Sequence, residues 1–60
     1  MSRGRADLLV QLRALNDELR QRGGEPTYNV GAVDELFNDA ELREAVSQTL
    51  HEVLALREWP

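Results

Sequence analysis

Residues 8–19 read Leu8-Leu9-Val10-Gln11-Leu12-Arg13-Ala14-Leu15-Asn16-Asp17-Glu18-Leu19. Leu8, Leu12, Leu15 and Leu19 recur at steps of four, three and four. That spacing draws one apolar stripe along a helix, as in a coiled-coil seam. Leu9 and Ala6 widen the stripe, while Arg13, Asp17, Glu18, Arg20 and Arg22 lie off it. Arg13–Asp17 and Glu18–Arg22 stand four apart and are expected to pair, at about 0.2–0.5 kcal/mol each. The stripe predicts a helix over residues 4–22.

Gly23-Gly24 stops this helix, because glycine tolerates the left-handed conformation that follows a helix end, and Pro26 delays a restart. Residues 23–29 are therefore read as a loop. Asn29 is a plausible N-cap, with Tyr28 and Val33 at the spacing of a hydrophobic staple. A short helix is expected over 30–37, with Val30, Val33 and Phe37 on one face and Leu36 beside it. Gly31 weakens it.

Asn38 and Glu41 form a capping-box pattern, and Phe37 with Leu42 forms a second staple. The apolar phase shifts at the same point. Both features place a fresh helix start at Asp39, against the rival of one unbroken helix from 30 to 58. The third helix is expected over 39–58. Its stripe is Leu42, Val46, Leu50, Val53 and Leu54, flanked by Ala45 and Thr49, with Asp39–Arg43 as a further four-apart pair.

The fold class is all-α: a helical hairpin with a short intervening helix. The two long helices are expected to lie antiparallel, seam against stripe. A single hairpin leaves Leu9, Leu36, Phe37, Leu54 and Leu56 partly wet. Burying such a side chain is worth about 1.5–3 kcal/mol, a large share of a total stability of about 5–15 kcal/mol. Pairing of two hairpins in a dimeric four-helix-type bundle resolves the deficit, and two-fold dimers are the commonest oligomers. A compact three-helix monomer, with the short helix covering the open side, is the competitor.

Sixty residues bound the chain to one domain, and so short a chain makes only a marginal core alone. No cysteine is present, so disulfides and thiolate metal sites are excluded. Ten leucines dominate the apolar set; isoleucine and lysine are absent, which points to a GC-rich coding genome, bacterial or phage. The net charge of −4 is unevenly placed. Residues 1–24 hold five arginines against three acids, and residues 25–60 hold two arginines against eight acids. An acidic chain repels phosphate backbones and suits partners with basic surfaces. The longest apolar run, Leu8-Leu9-Val10, is too short for a signal core or a membrane span, so a soluble cytoplasmic protein with no membrane contact is expected.

Chemistry-bearing motifs are few. Glu44, Ser47 and His51 share a helix face, but neighbours on one helix all point the same way and supply no oxyanion hole; no catalytic residue is assigned. Glu41, Glu44 and His51 miss the Glu-x-x-His spacing of bundle metal sites, since Gln48 stands three before the histidine; no metal or cofactor is expected. Arg3-Gly4-Arg5 resembles a nucleic-acid arm only in charge, and the body behind it is acidic. A helix-turn-helix centred on Phe37-Asn38-Asp39 would carry Glu41, Glu44 and Glu52 into the groove, the wrong sign for phosphate. Gly23-Gly24 lacks the Lys-Ser/Thr of a phosphate loop.

Tyr28 and Trp59 have interface potential, since both residue types are enriched at binding hot spots. Closure of the hairpin's open end by Trp59 against Tyr28 is the structural alternative. Asp34, Glu35, Asp39, Glu41 and Glu44 make an acidic run, either a solvated face or a docking face for a basic partner. The functional expectation is a small protein-binding adaptor or inhibitor, working as a homodimer on an unidentified protein. Partner contacts are sought at Tyr28, Asp34, Glu35, Glu41, Glu44 and Trp59. The alternatives are a dimeric DNA-binding regulator using the Arg-rich N-terminus, and a purely structural oligomerisation module.

Overall fold

A computed structural model describes residues 4–58. It contains three helices, α1 (Arg5–Gln21), α2 (Val30–Leu36) and α3 (Asp39–Glu58), and no strand among the described residues. Each boundary has a local cause. Gly23 takes φ +85. Its N–H donates to the Arg20 carbonyl at 3.1 Å and that of Gly24 to the Leu19 carbonyl at 2.9 Å. These are the two bonds of a Schellman C-cap, which satisfies carbonyls that the helix end leaves free.

The second helix starts where the Asn29 Oδ1 accepts from the Ala32 N–H at 3.0 Å. It ends at Phe37, whose backbone is extended. A reciprocal capping box then opens α3. The Asn38 Oδ1 accepts from the Glu41 N–H at 2.8 Å, and the Glu41 carboxylate accepts from the Asn38 N–H at 2.9 Å. Two orphan donors are satisfied at once, so α2 and α3 are separate helices.

The direction of α3 corrects the hairpin expectation. Arg5, first residue of α1, bonds Asp39, first residue of α3, at 3.0 Å. At the other end, the Arg57 Nε donates to Glu18 at 2.8 Å. Leu19 and Leu56 meet around Gly24. Starts lie beside starts and ends beside ends, so α1 and α3 run parallel. The return path is residues 22–38. Thr27 donates to the Glu52 carboxylate at 3.1 Å, and the Tyr28 hydroxyl donates to Gln48. Residues 24–29 descend along α3, with bends at Thr27 and Tyr28, and α2 completes the descent. Six extended residues reach about 20 Å and a seven-residue helix about 10 Å, enough to match the roughly 25 Å rise of α1. An antiparallel hairpin needs a short connection; this one is long enough to cross back.

The core is Leu12, Leu19, Val33, Leu42, Ala45, Val46 and Val53, with buried Asn16 and Thr49. Thr49 satisfies its hydroxyl by donating to the Ala45 carbonyl one turn back, at 2.8 Å. Leu8, Leu9, Leu15, Tyr28, Val30 and Phe37 pack around this centre, half-buried. Leu9 and Phe37, expected to be left wet by a hairpin, are half-buried against the core, Phe37 as part of the return segment itself. Tyr28 and Phe37 meet edge to face, centroids 5.8 Å apart, a favoured aromatic geometry. No helix among the described residues is long and apolar enough to cross a membrane.

Candidate interaction surface

The molecule is a slab, with principal extents of 38 × 24 × 15 Å. The parallel pair α1–α3 is covered on one face by residues 24–37. The opposite face carries the Glu18–Arg57 contact and is bare. Helical spacing puts Leu8 and Leu15 of α1, and Leu50 and Leu54 of α3, on that side. Leu50 is 42% exposed and Leu54 39%. Both stand in the expected seam of α3 but do not belong to its core. The stripe of α3 is wider than one neighbour can cover: Leu42, Val46 and Val53 point at α1, and Leu50 and Leu54 roll past it. Of the remaining seam residues, Leu12, Leu19, Leu42, Val46 and Val53 are buried and Leu8 and Leu15 half-buried.

Polar contacts frame this face at its two ends. Glu18 accepts from Arg57 and from Arg22, the latter at 3.4 Å. At the start of the helices, Arg5 spans from α1 to the junction of the other two. Its guanidinium donates to the Asp34 carboxylate at 3.3 Å, the Asp39 carboxylate at 3.0 Å and the Asp34 carbonyl at 2.6 Å. It also donates to the carbonyls of Val33 and Phe37. Three of these acceptors are backbone oxygens in the last turn of α2 and at its C-cap, where a helix runs short of backbone donors. One arginine therefore closes α2 and ties it to both long helices, using the fork of donors that lysine lacks. The hydrogen bond that Arg5 donates to Asp39 chiefly, with Asp34 beside it, pushes the Arg5 pKa up from its ordinary value against a smaller opposing effect of burial.

This clamp accounts for several departures from the sequence reading. Arg5 is engaged within the fold, so it is not part of a free basic arm; Arg3 lies outside the described residues. Asp39 pairs with Arg5 and not with Arg43. Asp17 pairs with Arg20 at 3.1 Å, and no ion pair joins it to Arg13 among the described residues. The acidic run is likewise partly consumed by structure: Asp34 and Asp39 bind Arg5, and Glu41 caps α3. Glu35 and Glu44 remain exposed. Tyr28 is half-buried, held by Phe37 and Gln48; Trp59 lies outside the described residues.

No grouping of three or more His, Cys, Asp or Glu side chains among the described residues suits a metal ion, and Glu41, Glu44 and His51 are accordingly not gathered. Sequence reasoning passed over Asn16. It sits between Leu12 and Leu19 on the stripe, almost fully buried, and its Nδ2 donates to the Tyr28 carbonyl at 2.8 Å. Its Oδ1 is buried with no hydrogen-bond partner. A polar residue in the middle of a leucine stripe is the signal that marked it. Asn16 also lies at the floor of a polar groove of about 470 Å³ between α1 and the start of α2, lined by Arg13, Arg20, Asn29 and Gly31.

The chain matches no known protein family. Comparison with characterised proteins and with solved structures likewise finds no match.

Proposed function

We propose that this chain is a small protein-binding adaptor or inhibitor that acts as a homodimer through the bare face of its α1–α3 pair. The exposed leucines of α3 carry this reading: Leu50 and Leu54 stand one helical turn apart, beside Leu8 and Leu15 of the neighbouring helix. Domains are ordinarily built from two packed layers around a core. A slab 15 Å thick has one long-helix layer and a partial cover.

The exposed acids Glu35 and Glu44 lie away from this face and leave an acidic surface for a basic second partner. Engagement of Arg5 within the fold weakens the DNA-binding alternative, which relied on that residue. A purely structural oligomerisation module would use the same leucines. Glu44, Ser47 and His51 are all solvent-exposed, which favours a binding role over catalysis.

Sedimentation equilibrium over a hundredfold range of concentration tests the reading. The wild-type mass should rise to twice the 6.8 kDa of one chain. A Leu50→Glu, Leu54→Glu double variant should keep its helical circular dichroism and stay at the single-chain mass. A wild-type mass of one chain at every concentration would overturn the proposal.

A further inference from the structure

We infer that the cleft between the ends of α1 and α3 docks a basic protein segment by taking up one of its apolar side chains. This rests on the binding role read above and names its basic second partner by chemistry. It uses a surface other than the bare face.

The cleft has a volume of about 310 Å³ and is lined by Leu19, Gly24, Glu25, Glu52, Ala55 and Leu56. Ligand clefts span about 300–1,000 Å³, so this one admits a side chain and not an extended ligand. Its floor is apolar. Leu19 is buried, and Leu56 keeps 36% of its surface exposed. A Cβ at position 24 would stand 3.1 Å from Leu56 Cδ1 and 3.4 Å from Leu19 Cδ2. Glycine therefore keeps the hollow between the two leucines open.

The rim is acidic and uncompensated. The Glu25 side chain is exposed and bonds no described residue. Glu52 accepts from the neutral Thr27 hydroxyl, at 3.1 Å. No basic residue lines the cleft among the described residues. The arginines at this end are engaged elsewhere: Arg22 and Arg57 on Glu18, and Arg20 on Asp17. An apolar hollow beside two such carboxylates is complementary to a leucine or aromatic side chain flanked by Lys or Arg. A neutral apolar segment would desolvate the carboxylates without pairing them. A second copy of this chain would bring a net charge of −4 against them.

The cleft and the bare face are separate. Glu52 and Leu56 stand one turn apart on the side of α3 that meets Thr27. Leu50, Leu54 and Arg57 stand on the other side. Covering the bare face leaves the cleft open.

The test is a nuclear magnetic resonance titration of the isotope-labelled chain with an acetylated, amidated peptide of leucine between arginines. Amide signals of Gly24, Ala55 and Leu56 should move with the peptide. Binding should weaken at least about tenfold when serine replaces the leucine or glutamates replace the arginines, and should fall as salt is raised. Ala55→Arg, at an exposed position, should abolish binding while helical circular dichroism and sedimentation mass stay as in wild type. A Glu25→Gln, Glu52→Gln double variant should weaken it without filling the hollow. Equal binding of the serine peptide, or signals that move elsewhere and spare Gly24 and Ala55, would overturn the assignment. So would wild-type chain that binds no peptide; if Trp59→Ala then binds it, the chain's own end is the occupant. Peptide binding by a chain that sediments at the single-chain mass keeps the cleft and removes the self-association. A dimer that ignores the peptide does the reverse.

Discussion

Arg5 and Asp39 are the first residues of the two long helices, and their side chains meet at 3.0 Å. This contact fixes the chain's topology, because it brings the start of α3 back to the start of α1 across thirty-odd residues. The fork of Arg5 serves the end of α2 as well. Arg5→Lys should therefore be damaging although it keeps the charge. An ammonium cannot reach carbonyls of Val33, Asp34 and Phe37 and two carboxylates together. The expected outcome is a lower melting temperature and faster amide hydrogen exchange in α2, with α1 and α3 less affected. Exchange protection of α2 equal to wild type would refute the clamp. Because the pKa of Arg5 is raised, the charge persists in the folded state up to strongly alkaline pH. Its contribution is fully present below the unfolded-state arginine value and is lost only above it, so this clamp adds no pH dependence near neutrality.

Leu12 and Leu50 test the two sides of α1–α3. Leu12 has no exposure and Leu50 is 42% exposed. Leu12→Ala leaves a cavity and should cost about 2–5 kcal/mol in urea melts at any concentration. Leu50→Ala should cost little in dilute solution and more as concentration rises, because the lost contacts belong to the dimer. Equal, concentration-independent losses at both sites would contradict the assignment of Leu50 to an interface.

Asn16→Asp is nearly isosteric yet should be strongly destabilising at neutral pH. The new carboxylate is buried, loses the donor that serves the Tyr28 carbonyl at 2.8 Å, and gains no partner for the atom that already lacks one. A loss of more than about 1–3 kcal/mol is expected, since the group left unsatisfied is charged. Burial raises a carboxyl pKa above its unfolded value of about 3.9. The penalty is thus full above the folded pKa and fades as pH falls towards the unfolded one. Urea melts at pH 7 and pH 4 should show the gap from wild type narrowing in acid; a constant gap would mean the site is open to water.

The two glycines after α1 do different work. Gly23 needs its left-handed backbone, so Gly23→Ala should cost about 1–2 kcal/mol. At Gly24 an added Cβ would meet Leu56 Cδ1 at 3.1 Å, the tip of a mobile side chain. Gly24→Ala should be the milder change in thermal melts. The reverse order would show that close packing, not chain reversal, sets the end of α1.

Much of the local structure was legible because its causes are local. Asn29 and Asn38 cap helices through neighbours three residues on, and Gly23 supplies the expected left-handed stop. Leu12 and Leu19 are buried along the stripe that their spacing drew. The direction of α3 was not legible. An apolar stripe packs equally on a parallel or an antiparallel neighbour, and only the reach of residues 22–38 distinguishes the two. The role of Arg5 was hidden for the same reason: its acceptors are backbone carbonyls that exist only once α2 has ended and turned towards α1. Leu50 and Leu54 fit the α3 period but fall outside the core, because periodicity gives the width of a stripe and not the number of neighbours that cover it.

Everything argued about the bare face depends on α1 and α3 pointing the same way, since that decides which side the return segment covers. Spin labels at introduced cysteines measure it directly. Ala6 and Ala40 stand one residue into the two helices, and Ala55 lies near the end of α3; all three are exposed. Labelled chains diluted into unlabelled protein report distances within one chain. Parallel helices predict that the Ala6→Cys, Ala40→Cys pair is closer than the Ala6→Cys, Ala55→Cys pair, by about the 20 Å that fifteen helical residues rise. The opposite order, with position 6 beside position 55, would restore the hairpin and contradict the account.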